Sequence, residues 1–356
     1  MPQVDRVQHI DAWRFLAVVM VIMHHLVNFT YPRFFIEYVP GIVWRMPALG
    51  KLGVLIFFCI SGFVICGGLV KEQSTSSRVS LAAFYVRRAL RIVPPLFLYL
   101  FTLSLLTVLG FISLPWTALI QSATFTCNFR LIGDCGWLAG HTWSLAYEEQ
   151  FYLLFPILYV FLTSVGRGRV VWILVLLGLT MTGVFFARMN GLFGLADYLT
   201  THIYILAGCA ASLYWKAIKP MLSKVPWLMW LTGVFAMFGL SGVIPVPAYL
   251  SQIVNLAVLP ALVCFVVLGT PVSRSIVKAI FRNNFVSYLG KISYTVYLWQ
   301  QLATANQSGI SPWRPAILII LVFVFAHFSY RLFELPLMRM GRDFSTRIRE
   351  AVIAVK

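Results

Sequence analysis

Apolar runs close to twenty residues long recur along the whole chain. They fall at 10–29, 50–70, 93–112, 143–164, 170–187, 198–215, 226–243, 247–268, 285–303 and 315–335. A helix needs roughly 20 such residues to cross the hydrocarbon core of a bilayer. Short segments of alternating polarity, which a membrane β-barrel requires, are absent. The pattern therefore predicts an all-α fold, a polytopic transmembrane helical bundle of about ten spans. Most connections are short. Two are long enough to hold structure of their own, Lys71 to Pro95 and residues 113–142. Residues 1–340 read as a single transmembrane domain. Residues 341–356 read as a short basic cytoplasmic tail, too short for a second domain.

Composition agrees, with 60% hydrophobic and 11% charged residues. A soluble domain carries roughly 25% charged residues. The net charge of +17 raises the question of a nucleic-acid partner, and the distribution answers it. With the N-terminus in the cytoplasm, Lys71, Arg78, Arg167, Arg169, Lys216, Lys219, Lys224, Arg274, Lys278 and Arg282 all fall on the cytoplasmic side. So do Arg339, Arg342, Arg347 and Arg349, whereas only Arg33, Arg45, Lys51, Arg130, Arg188 and Arg314 fall outside. That asymmetry is the positive-inside signal, and it predicts cytoplasmic N- and C-termini. The basic charge then serves topology and contact with membrane lipids, and no nucleic acid is expected. The first span is too long and too polar for a cleavable signal peptide, so none is expected. Cys59, Cys66, Cys209 and Cys264 lie in spans and read as apolar packing groups. Cys127 and Cys135 share the external loop, where a disulfide is compatible with an oxidising compartment. No Cys/His spacing suggests a metal site, and no metal is expected.

Polar groups inside spans are costly and point to function. In the first span, Arg14 and His25 are eleven residues apart. At about 100° per residue that is three turns plus roughly 20°, one face of the helix, with about 16 Å between them. His24 is turned off that stripe, and Asp11 precedes Arg14 at ion-pair spacing. The competing reading is a snorkelling arginine and a histidine satisfied by a backbone carbonyl.

In "GHTWSLAYEEQFYLLFP", Ser144, Glu148, Phe151, Tyr152 and Phe155 form a second stripe, with Glu149 off it. This span enters from outside, which puts Glu148 at about the depth of His25. A carboxylate beside an imidazole fixes its tautomer and raises its basicity, the arrangement that deprotonates a hydroxyl. A buried carboxylate paired with a donor on another helix is the alternative. Arg87, Arg88 and Arg91 in "FYVRRALRIVPP" precede the third span. Such a cluster binds lipid headgroups or a phosphorylated ligand from the cytosol. Arg331 and Glu334 are three apart and read as a structural ion pair. Ser61 and Gly62 read as a close helix contact. His202 and His327 read as satisfied core groups, and His141, beside Trp143 at the outer edge, as a candidate acceptor contact.

Several stretches together resemble the membrane-bound acyltransferase 3 family. They are "IDAWRFLAVVMVIMHH", with Arg14 and His25 in the family's Arg/Lys-x10-His pattern, "GVLIFFCISGFVI", "FYVRRALRIVPP", "TWSLAYEEQFYLLFP", "LGKISYTVYLWQ" and "YRLFELP". They run from residue 10 to about 336. The resemblance implies about ten core helices in a bacterial cytoplasmic (inner) membrane. It implies transfer of an acyl group, usually acetyl, from cytoplasmic acetyl-CoA as co-substrate to a hydroxyl of an extracytoplasmic glycan. Lipopolysaccharide O-antigen, exopolysaccharide or a lipid-linked glycan would be the acceptor. It further implies His25 as catalytic base with Glu148 as its acidic partner, and Arg14, Arg87, Arg88 and Arg91 in donor binding or site structure. Some relatives append a soluble esterase-like domain; the chain is expected to act without one.

The oxyanion of such a transfer needs a donor, for which Ser144, Trp143 and His141 are candidates. Two rival readings stand beside this one. The first keeps the enzyme but changes the acceptor to a small molecule such as a macrolide. The second is a proton-coupled transporter or flippase using His25 and Glu148 as a relay, against which no inverted repeat is visible.

Overall fold

A computed structural model describes residues 9–30, 45–76, 78–129, 133–164, 169–305 and 314–354. Of the charges used above for topology, Arg33, Arg130 and Arg167 lie outside the described residues. Among the described residues every regular element is a helix and none is a strand. In chain order these are α1 (His9–His25), α2 (Met46–Ser76), α3 (Leu81–Val108), α4 (Trp116–Ala123), α5 (Gly136–Gly140) and α6 (Thr142–Ser164). They continue with α7 (Arg169–Met189), α8 (Phe193–Leu213), α9 (Trp215–Ser223), α10 (Trp227–Phe238) and α11 (Ala248–Ile253). The series closes with α12 (Leu259–Leu268), α13 (Ser275–Phe281), α14 (Asn284–Ala303), α15 (Arg314–Ser329) and α16 (Leu335–Ala354).

Among the described residues, 7 helical stretches are long and apolar enough to cross a membrane, or up to 8 counting the bent pair Trp215–Ser223 with Trp227–Val243. The other two predicted spans, 198–215 and 285–303, coincide with α8 and α14, which carry more polar residues. Large apolar side chains face outward along these helices, among them Phe101, Phe161, Leu179 and Phe235. In water they would form an aggregating surface; in lipid they are the natural exterior.

Two predicted boundaries move. The third span does not start at the double proline. α3 begins at Leu81, capped by the Ser80 hydroxyl accepting from Ala83 N, and runs unbroken through Pro94 and Pro95. The prolines remove the donors that would close on Leu90 and Arg91. Close to the prolines, the Tyr294 hydroxyl donates to the Ile92 carbonyl at 2.9 Å and ties α14 to this turn of α3. The arginine cluster is therefore helical, not part of a loop. Residues 341–354 are likewise the continuation of α16.

Short π-helical turns occur at Leu26–Thr30, Gly239–Val243, Val254–Val258 and Tyr330–Glu334. The last of these overturns the expected Arg331–Glu334 pair. In a turn closed from i to i+5, residues three apart no longer stack. Arg331 faces out, while the buried Glu334 carboxylate accepts from the Thr295 and Ser329 hydroxyls.

The chain divides into two compact units. Unit 1 comprises Met1–Val70 and Gly166–Ser293. Its helices meet at small residues. A Cβ on Gly62 of α2 would lie 1.9 Å from the Ile205 carbonyl oxygen of α8, and one on Gly208 would lie 2.0 Å from that of Cys59. This is the close helix contact read from Ser61–Gly62. Gly290 approaches the Asp11 backbone as tightly. Trp13 donates to Thr270 and packs on Phe281, which ties α1 to α12 and α13. Val184 and Ala187 pack with Ala196 and Ile203 in the α7–α8 hairpin. His202 Nδ1 bonds the Tyr198 carbonyl, a satisfied group as expected.

Unit 2 comprises Lys71–Val165 and Tyr294–Lys356. α16 lies along α3, where Gly341 meets Leu90 and Arg87. Arg87 pairs with Glu72 at 3.0 Å and donates to Ser345. Residues 113–129 and 133–141 are held by polar ties to the helices, three of them made with Gln150, Gln301 and Tyr99. Asn128 and Gln150 exchange side-chain hydrogen bonds, Trp137 and Gln301 exchange bonds through their carbonyls, and the Tyr99 hydroxyl donates to Leu138. Cys127 and Cys135 form a disulfide with Cα atoms 5.9 Å apart. In the chain-entropy picture so short a loop contributes about 2–3 kcal/mol. Replacing both cysteines by serine should lower the unfolding midpoint in detergent accordingly. An unchanged midpoint would show that the three polar ties suffice.

Candidate active site

α1 keeps regular α geometry from His9 to His25, and the π turn begins only at Leu26. Arg14 and His25 therefore stay on one stripe, because eleven residues at about 100° each return to within roughly 20° of the start. Neither side chain is fully exposed.

His24 has a different setting. Its Nδ1 lies 3.2 Å from Asn28 Oδ1 one turn on. Its ring also fills the space beside Gly50 of α2, where a Cβ would come within 2.7 Å of three of its atoms. Such contacts describe a helix-packing group. The glycine exists because the ring needs the room.

In unit 2 the site residues sit on α3 and α6, and α14 supports them. α6 starts at Thr142, which is buried with Ser144 and Leu145, and Glu148, Glu149 and Gln150 are half-buried. The Glu148 Oε2 accepts from the Tyr152 hydroxyl at 3.1 Å, one turn further along the same helix. The Arg88 guanidinium lies over the face of the Tyr152 ring, 5.1 Å from its centroid, and 6.0 Å from that of Phe84. Glu148, Glu149 and Arg91 all lie within electrostatic reach of Arg88. Taking a guanidinium out of water costs on the order of several kcal/mol. A desolvated cation–π contact offsets up to about 2 kcal/mol of that, and nearby carboxylates supply more. Arg88 is thus held in place by the same helix that carries Glu148.

The other members of the predicted set are arranged around α14. The Ser144 and Tyr297 hydroxyls share a 2.7 Å hydrogen bond, and each also reaches the His141 carbonyl, at 3.2 and 3.1 Å. The His141 ring is buried between Tyr99 and Tyr297. Trp143 faces outward, 37% exposed, edge-on to Tyr147. Within unit 2, then, Arg88 meets Glu148 through Tyr152, and Ser144 and Tyr297 both bond the His141 carbonyl. Arg87 is engaged by Glu72 and Ser345, and Trp143 points away from Ser144. Arg14 and His25 belong to unit 1.

Sequence reasoning missed Tyr152, Tyr294 and Tyr297 as site residues. A signal existed for each. Tyr152 is four residues from Glu148 on one face, and Tyr294 and Tyr297 are three apart in "ISYTVYLWQ". No cluster of three or more His, Cys, Asp or Glu suited to a metal ion occurs among the described residues.

Comparison with known proteins places this geometry in context. No solved structure matches the chain. A Staphylococcus aureus protein named "Putative O-acetyltransferase SACOL0978" is 26% identical over 93% of this chain and 57% of its own length. The peptidoglycan O-acetyltransferase OatA of Listeria monocytogenes is 25% identical over 94% of this chain and 56% of its own. The chain thus spans a little over half the length of the curated relatives it matches. The acyltransferase domain of the acyltransferase 3 family matches residues 7–330. With that match covering nearly every helix described above, the chain belongs to the acyltransferase 3 family.

Proposed function

We propose that the protein transfers an acetyl group from cytoplasmic acetyl-CoA to a hydroxyl of a surface glycan outside a bacterial cytoplasmic membrane. The observation that carries the proposal is the family match over residues 7–330, together with relatives named as O-acetyltransferases. The Listeria relative's name adds peptidoglycan to lipopolysaccharide O-antigen and exopolysaccharide as acceptor candidates. The positive-inside asymmetry supports a cytoplasmic donor side.

In this reading His25 takes the proton of the acceptor hydroxyl, with Glu148 as its acidic partner. The hydroxyl oxygen attacks the thioester carbonyl carbon, the carbon–sulfur bond breaks, and the thiolate leaves. His25 then returns the proton to the sulfur. Arg88 and Arg91, three residues apart on α3, supply cations for the donor phosphates, since guanidinium groups grip phosphate bidentately. Arg87 supports them through its pair with Glu72. Arg14 acts on the donor side of the His25 stripe. His141, Trp143 and Ser144 remain the acceptor-side candidates, with Ser144 held by Tyr297.

The test compares surface glycans from cells with and without the gene by mass spectrometry and NMR. O-acetyl groups that depend on the gene support the proposal. Identical glycans, with transport of a glycan precursor altered instead, would overturn it.

A further inference from the structure

Tyr152 touches two of the polar groups of unit 2 to which a role in transfer is given, Glu148 and Arg88. Its hydroxyl donates to Glu148 Oε2 at 3.1 Å. Its ring lies under the Arg88 guanidinium at 5.1 Å. The residue is 4% exposed, so neither contact competes with water. Its ring is fixed further by Phe151, edge-on at 6.4 Å.

The two contacts use different parts of the side chain. The phenol O–H is a donor aimed at a carboxylate, which fixes that carboxylate's rotamer. The ring face carries negative quadrupole charge and holds a cation without accepting a proton from it. A phenylalanine would keep the second function and lose the first. An aliphatic residue would lose both.

We propose that Tyr152 is a positioning residue with two separable tasks. Its hydroxyl sets the Glu148 carboxylate for the acyl-transfer step, and its ring sets Arg88 for the anionic donor. The proposal rests on the reading in which Glu148 and Arg88 take part in transfer. A purely structural Tyr152 would be filled by any residue of similar volume, with a cost to stability alone.

The experiment uses the full chain in five variants: Tyr152→Phe, Tyr152→Leu, Glu148→Gln, Arg88→Ala and the double variant Tyr152→Phe with Glu148→Gln. Two quantities are read at matched levels of folded protein. One is the initial rate of surface-glycan O-acetylation in cells, which can be followed whichever glycan is the acceptor. The other is the affinity of the purified protein for coenzyme A. A hydrogen bond to a charged group is worth about 1.5–3 kcal/mol, so Tyr152→Phe should slow acetylation roughly tenfold to a hundredfold. Its coenzyme A affinity should stay within about twofold of the wild type. Tyr152→Leu should lose rate to at least the same degree and weaken coenzyme A binding by about fivefold or more. Tyr152→Phe combined with Glu148→Gln should be no slower than Glu148→Gln alone, because the two act through one contact.

A wild-type rate for Tyr152→Phe would overturn the proposal. So would equal effects of Phe and Leu on both readouts, or a change confined to the unfolding midpoint. If Glu148→Gln and Arg88→Ala both keep the wild-type rate, it is the reading of the transfer site that fails, and the role of Tyr152 falls with it.

Discussion

Replacing His25 by alanine is expected to abolish acylation while leaving the protein folded. A positioned general base contributes roughly 10²–10⁴ in rate, and His25 is the imidazole on the Arg14 stripe of α1. His24→Ala is the paired control, since the two histidines are adjacent and chemically identical. His24 is tied to Asn28 and packed against Gly50, so its removal opens a small void between α1 and α2. A void of that kind costs on the order of 1 kcal/mol in stability and leaves most of the activity. The measurement is O-acetylation of surface glycans at equal amounts of folded protein. Equal loss for both histidines would show that the stripe geometry does not select the base.

The second large effect is on folding. Alanine at Gly62 or Gly208 puts a methyl group about 2 Å from a backbone carbonyl oxygen, Ile205 in one case and Cys59 in the other. Backbone atoms have no rotamer to change, so the helices α2 and α8 must separate. Overpacking of a well-packed core costs roughly 1–3 kcal/mol and occasionally more. Here the whole α2–α8 seam moves, so the upper end is expected for alanine and loss of folded protein for valine. In lipid no hydrophobic force compensates for the lost contact, since helix association there depends on close packing. Gly68, further along the same helix, has open space around it, with nothing within 4 Å of where a Cβ would stand. Gly68→Ala should therefore be neutral or slightly stabilising, because alanine is the better helix former by up to about 1 kcal/mol. Folded yield by size exclusion in detergent and the unfolding midpoint decide the matter. Equal behaviour of Gly62→Ala and Gly68→Ala would contradict the close approach.

Much of this architecture is written in the sequence at the level of period and length. Twenty-residue apolar runs give the helices, and the eleven-residue spacing of Arg14 and His25 gives their common face. Glycine beside small residues gives the α2–α8 contact. What escapes is set by partners distant in the chain. Beside Pro94 and Pro95 the Ile92 carbonyl of α3 accepts from the hydroxyl of Tyr294, which no local window around the prolines contains. Glu334 turns to Thr295 and Ser329 because of a π turn, a geometry without a recognisable sequence code. Helix α16 reads as a charged tail until Ser345 and Gly341 are found against Arg87 and Leu90. The burial of His141 depends on Tyr99 and Tyr297 from other helices, which its position before α6 does not reveal. In each case the missing information is a tertiary contact, not a propensity.

The catalytic assignment makes one requirement above the others: acetyl must leave coenzyme A on this chain, and His25 must be needed for it. Purified protein in lipid nanodiscs, given acetyl-CoA labelled in the acetyl group and surface glycan from a strain lacking the gene, tests both at once. Label transferred to the glycan by the wild type and by His24→Ala, but not by His25→Ala, is the expected result. Label transferred equally well by His25→Ala would contradict it.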